Sequence, residues 1–185
     1  MAADLALALP TRCYHVLVLV DASPLIYLAK IDALGVFEAS GYVPLITKEV
    51  ERETARPGLA YQHPDSLLIA EAIRSGLLRR TDLSEREKEV AVRLLNEAGG
   101  IGRGEAEVLA AAMERSLPAL LSERRASSLA RSMGIDRRTP IDLIFTGTTQ
   151  RALLARRVRQ FAELVEMRLS DLEALMQRIE EWERD

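Results

Sequence analysis

His15-Val-Leu-Val-Leu-Val20, followed at once by Asp21-Ala-Ser-Pro-Leu-Ile-Tyr-Leu-Ala-Lys30, is the stretch on which the fold turns. Its apolar run shows no alternation, so both faces of the strand it forms are expected to be covered, as in the middle of a parallel sheet. The strand ends at Asp21 and a helix is expected immediately. Ser23 can cap it, Pro24 suits its first position, and Leu25, Leu28, Ala29 and Leu34 form an apolar stripe up to Gly35.

The same grammar recurs along the chain. Tyr42–Ile46 is a second expected strand, after which Thr47 caps a short helix carrying Val50 and Glu53. A loop between Arg56 and Pro64 leads to a helix from about Asp65 to Ser75, and Leu77–Thr81 reads as an edge strand or a loop. Ser84-Glu-Arg-Glu87 is a capping box opening a helix that stops at Gly99-Gly100. Gly102-Arg-Gly104 introduces a helix over 105–115, Pro118–Leu121 a short buried strand, and 124–133 a helix closed by Gly134. Ile141–Phe145 is expected as the last strand, Gly147-Thr148 as the opening of an Arg-rich helix, and Ser170 as the cap of a final amphipathic helix. Strands alternating with helices predict an α/β fold, a mostly parallel central sheet flanked by helices in three layers, α/β/α.

At 185 residues with 48% hydrophobic side chains, the chain is expected to form one domain around a single core. Residues 15–160 make its body, 1–14 a flexible extension, and 161–185 a C-terminal helical extension of the same domain. The net charge of −3 hides a segment, 121–159, with 9 arginines against 3 acids. Such a segment can face phosphates. Aromatic residues make up only 4%, which argues against a base-stacking platform. Cys13 is the single cysteine and His15 and His63 stand apart, so neither a zinc set nor a disulfide framework can be built, and a cytoplasmic location fits. The apolar opening, Met1 to Pro10, is too short to span a bilayer, and no membrane role is expected.

Four acids stand where a carboxylate is costly without a task. Asp21 closes an apolar strand, at the end where parallel sheets form their ligand crevice. Glu53 shares a helix side with Val50, three residues earlier. Glu105 leads a stripe of Val108, Leu109 and Ala112, whereas Glu107 is turned about 200° away, toward an expected wet face with Glu114. Glu123 follows Leu120-Leu121-Ser122 at another strand end. Each has a plainer alternative: a turn or capping residue for Asp21, a solvated face for Glu53, a first-turn acid favoured by the helix dipole for Glu105 and Glu123. Carboxylates gathered without histidine or cysteine are ligand chemistry for Mg²⁺ or Mn²⁺, ions commonly used to act on phosphate esters.

In their order along the chain these pieces resemble the PIN-domain nucleases, in particular the prokaryotic VapC-like group with small adjacent antitoxins. The resemblance rests on Val20-Asp-Ala-Ser-Pro-Leu-Ile-Tyr-Leu-Ala-Lys30, Thr47-Lys-Glu-Val-Glu-Arg-Glu53, Gly102-Arg-Gly-Glu-Ala-Glu-Val-Leu-Ala110, Leu120-Leu-Ser-Glu-Arg-Arg-Ala126 and Gly147-Thr148. It implies a PIN-like domain and a metal-dependent endoribonuclease, the toxin of a toxin–antitoxin pair, silenced by a small antitoxin protein. It places the catalytic acids on Asp21, Glu53, Glu105 and Glu123, with Asp21, Glu105 and Glu123 on the metal. Ser122-Glu123 departs from the one or two aspartates usual there, which keeps open a catalytically silent PIN-like binding or scaffolding module. Asp142, in the expected last strand, is a weaker substitute. Ser23 and Thr148 are candidates to support the site or a phosphate, and Arg124, Arg125 and Arg151 to receive the RNA backbone. A dehalogenase-type phosphatase would need an aspartate where Ser23 stands, and a phosphoacceptor a late lysine, whereas none follows Lys88.

Met167, Leu169, Leu172, Leu175, Met176, Ile179 and Trp182 supply apolar surface beyond what a small sheet domain needs to cover itself, and the helical spacing of Leu172, Leu175, Met176 and Ile179 predicts a homodimer, with packing on its own domain as the alternative.

Overall fold

The computed structural model describes residues 15–55 and 63–181. The 1–14 extension with Cys13, the loop residues 56–62 and Trp182 lie outside the described residues. Five strands are seen: β1 (Val16–Val20), β2 (Tyr42–Ile46), β3 (Arg79–Arg80), β4 (Ala119–Leu120) and β5 (Arg137–Arg138). The helices between β1 and β3 are α1 (Ala22–Lys30), α2 (Val36–Ala39), α3 (Lys48–Thr54) and α4 (Pro64–Arg74). Between β3 and β5 come α5 (Glu85–Ala98), α6 (Arg103–Arg115) and α7 (Arg124–Ser132), and after β5 come α8 (Pro140–Thr146), α9 (Arg151–Leu164) and α10 (Leu169–Glu180).

The sheet is all parallel, in the order β3-β2-β1-β4-β5. The chain steps outward from β1 to β3, then returns to the other side of β1 for β4 and β5. Because parallel crossovers are right-handed, that reversal puts the later helices on the opposite face and yields three layers. It also leaves a crevice at the carboxyl ends of β1 and β4, the switch point where such sheets bind ligands. Of the apolar run that announced β1, Val18, Leu19 and Val20 are fully buried, while Val16 and Leu17 are exposed beyond the reach of β4.

Five expectations are corrected. The run 141–145 is helix α8, not a strand. Pro140 at its start and a capping box between Thr139 and Asp142 organise it, and the last strand is Arg137–Arg138 instead. Asp142 is therefore spent on a cap: its Oδ2 accepts the Thr139 N–H at 2.9 Å and the Thr139 hydroxyl at 2.6 Å. Ser23 is not the cap of α1, since the helix begins at Ala22 with Asp21 at the capping position. The helix also stops at Lys30 rather than running to Gly35. Ser170 sits inside α10, whose N-cap is Arg168, and the Arg-rich helix α9 starts at Arg151, three residues past Thr148.

The stripe expected to seek a second copy is used within the chain. Ile179 is 1% exposed in the main core, with Leu172, Leu175 and Met176 packed against it. Arg178 lies over the Phe145 ring of α8 at 4.7 Å from its centroid, and Arg151 donates to the Glu180 carbonyl at 3.0 Å. Ile179 is thus interior, whereas Leu172, Leu175 and Met176 stay partly accessible and Leu169 at the start of α10 is 70% exposed. No described helix is long and apolar enough to cross a membrane.

Candidate active site

Asp21 occupies the end of the central strand, where its own N–H donates to the Leu120 carbonyl of β4 at 3.2 Å. Although it holds the N-cap position of α1, its carboxylate makes no capping hydrogen bond across the first turn. It is 3% exposed. Burial is the main reason its pKa rises from 3.8 to about 7; the Ala22 N–H opposes the rise, and Glu105, Glu53 and Glu123 reinforce it by repulsion. Those three neighbours are the acids picked out in the sequence, delivered by α6, α3 and the turn before α7. The fold brings all four to one end of the sheet.

Their side chains surround Asp21 without meeting. Thr47 starts α3 by accepting the Val50 N–H, and the helix then carries Glu53 toward α6. Glu53 is exposed, but its Oε2 lies 2.9 Å from where a Cβ on Gly104 would stand. Partial burial first, then Glu49, raises its pKa; Arg52 opposes, and Glu105 and Glu107 add to the rise. Glu105 serves the start of α6: its Oε2 accepts the Gly102 N–H at 2.7 Å, so the plainer first-turn role is also real. Glu123 is exposed at the N-cap of α7 and makes no capping bond with its side chain. Among the described residues no three His, Cys, Asp or Glu side chains converge closely enough to hold a metal ion. The donor chemistry nevertheless suits a hard divalent cation: only carboxylates, three of them repelling a buried aspartate.

Two residues with influence here were misjudged or passed over. Glu107 is only partly on a wet face. Val90 and Ala91 of α5 pack against Ala106 and Ala110, covering the side of α6 expected to be open. Glu107 is half-buried, with Oε2 3.4 Å from the Glu49 N–H and close enough to act on Glu53. The signal was present in the alanines on both sides of α6. Tyr27 is half-buried beside α9, edge-on to Phe161 with centroids 6.0 Å apart. Its phenol is pushed above its usual pKa by burial and then by Glu123.

The expected phosphate contacts separate. Arg124 is exposed and lines, with Arg125, Ser128, Leu129 and Ser132, a shallow concavity of about 450 Å³ along α7. Arg125 is committed: its Nη2 donates to the Ala98 carbonyl at the end of α5, and its guanidinium packs over Gly100. Arg151 is committed to the end of α10. Ser23 is half-buried in the first turn of α1, next to Asp21. Thr148 lies far off: buried, it accepts from Arg157, which also donates to the Asp32 carbonyl. Asp32 is just past the far end of α1, a helix of nine residues and so about 13 Å long. The structure does not bring Thr148 to Asp21.

The strand order is all parallel and an aspartate closes the central strand; over residues 17–177 the chain also matches a family model described as PIN domain. The chain belongs to the PIN-domain family. PIN domains are typically metal-dependent nucleases, hydrolases of phosphodiester bonds, and divalent ions are their general cofactor. No curated protein matches the chain.

Proposed function

We propose that this PIN domain is an endoribonuclease dependent on Mg²⁺ or Mn²⁺, acting in the cytoplasm as the toxin of a toxin–antitoxin pair. One observation carries the reading: a carboxylate buried at the switch point, with three others arranged around it at a cost in repulsion that a cation would relieve. In this reading Asp21, Glu105 and Glu123 hold the ion, and Glu53 orders the nucleophile's side of the crevice. A bound divalent ion would lower the pKa of a coordinated water and would supply a counter-charge for the phosphate. The residues themselves exclude bulk water behind Asp21, keep a carboxylate ready to take a proton, and offer Arg124 and Ser23 to the RNA backbone. Residues 15–160 are taken as the nuclease domain and 161–185 as its helical extension, with a small antitoxin protein as the silencing partner. A homodimer is part of the proposal, through the accessible edge of α10 around Leu169.

The test is Asp21→Asn, which removes the charge at nearly constant volume. RNA cleavage in Mn²⁺ should disappear with the circular dichroism unchanged, and the variant should lose toxicity on expression without its antitoxin. Undiminished cleavage would remove Asp21 from the chemistry. A second reading, a catalytically silent module, is favoured by two observations. Glu105 is already bonded to Gly102, and the Ser122 hydroxyl is buried without a partner where relatives by resemblance carry an acid. Absence of Mn²⁺ binding at millimolar concentration in calorimetry would decide for that module.

A further inference from the structure

We infer that Gly104 is a positioning residue whose missing side chain forms the seat of the Glu53 carboxylate. Glycine at this point is not required by the backbone. Gly104 is the second residue of α6 and, unlike Gly99 and Gly100 just before it, has no positive φ. In such a position alanine is the better helix former. Packing does not demand glycine either, because an added Cβ would meet Val50 Cγ2 at 3.5 Å, an ordinary contact. The one conflict is with Glu53, whose Oε2 would stand 2.9 Å and whose Cδ would stand 3.5 Å from that Cβ.

The end of a glutamate side chain yields easily, so a methyl group here would cost the fold little. Its cost would fall on where the carboxylate is held. Gly104 is flanked in the chain by Glu105, and Glu53 and Glu105 both act on Asp21. A displaced Glu53 therefore leaves the group that the site depends on. The inference rests on the metal-dependent reading above, and its test separates the two.

Mn²⁺ binding is measured by calorimetry on the intact protein, alongside apo melting temperatures. Gly104→Ala should melt at or above the wild-type temperature yet bind Mn²⁺ about tenfold or more weakly, the usual loss when a supporting contact of a metal site is removed. In a Glu53→Ala background the same change should cost nothing further. Pairing it with Glu53→Asp, whose shorter arm leaves room for the methyl group, should restore part of the affinity lost by Gly104→Ala alone. Unchanged affinity in Gly104→Ala, or an equal loss without the Glu53 carboxylate, would overturn the role of Gly104 and leave the nuclease reading standing. A wild-type protein that binds no Mn²⁺ would take down both.

Discussion

Asp21 is half protonated near pH 7 in the folded chain, whereas an ordinary aspartate titrates near 3.8. A carboxyl whose pKa is raised on folding holds its proton more tightly in the native state. Its contribution to stability is full below about pH 4, declines as pH rises toward 7 and is constant above, the loss being about 1.4 kcal/mol for each tenfold gain in proton affinity on folding. Asp21→Asn should therefore match the wild-type melting temperature at pH 4 and exceed it increasingly up to pH 7; a gap that widened toward low pH would contradict the buried carboxyl. Mn²⁺ needs the ionised form, so affinity should climb with pH up to about 7 and then level off. Glu105 and Glu107 offer a paired control. Glutamine at either position keeps an acceptor for the N–H it serves, but Glu105→Gln should weaken Mn²⁺ binding and Glu107→Gln should change it little. Equal losses would add Glu107 to the ligands. The candidate acids were legible because each sat at a strand end, led an apolar stripe or, as Glu53, shared a helix side with a buried residue. The true surroundings of Glu107 were not, because its cover comes from α5, whose approach no local spacing reports.

Short elements are where local pattern and structure parted. Ile-Asp-Leu-Ile-Phe145 is as apolar as a buried strand, and five residues cannot declare a period. The decision lay outside the run, in Thr139 and Pro140, and strand status passed to Arg137-Arg138 because that pair meets Ala119 and Leu120 in register. Asp142→Ala should therefore destabilise the protein by about 1 kcal/mol through the lost cap, with Mn²⁺ affinity untouched. Helix ends also reassign the arginines. If RNA runs along α7, Arg124→Gln should flatten the dependence of log K on log salt by roughly 0.9 or less. Arg151→Gln should leave that slope alone and lower the melting temperature by loosening α10. The same flattening from both would return Arg151 to the RNA.

The whole molecule settles how surfaces are shared. Ile179 is buried within its own chain, so Ile179→Ala should cost about 2–5 kcal/mol at every protein concentration. Were the stripe a dimer surface, the loss would shrink as concentration rose and light scattering would show dissociation. Local sequence was sufficient for the class of fold, the order of nearly all elements and the choice of four acids that the fold makes neighbours, because strand ends, caps and helical stripes are written in residues a few positions apart. The sharing out of those residues was decided by contacts between distant segments: Arg125 to the end of α5, Arg151 to the end of α10, Thr148 to the far end of α1, and Glu53 into the space left by Gly104. Spacing along one helix gives the direction of a side chain about its own axis. What it meets there depends on which other helix the sheet has carried alongside.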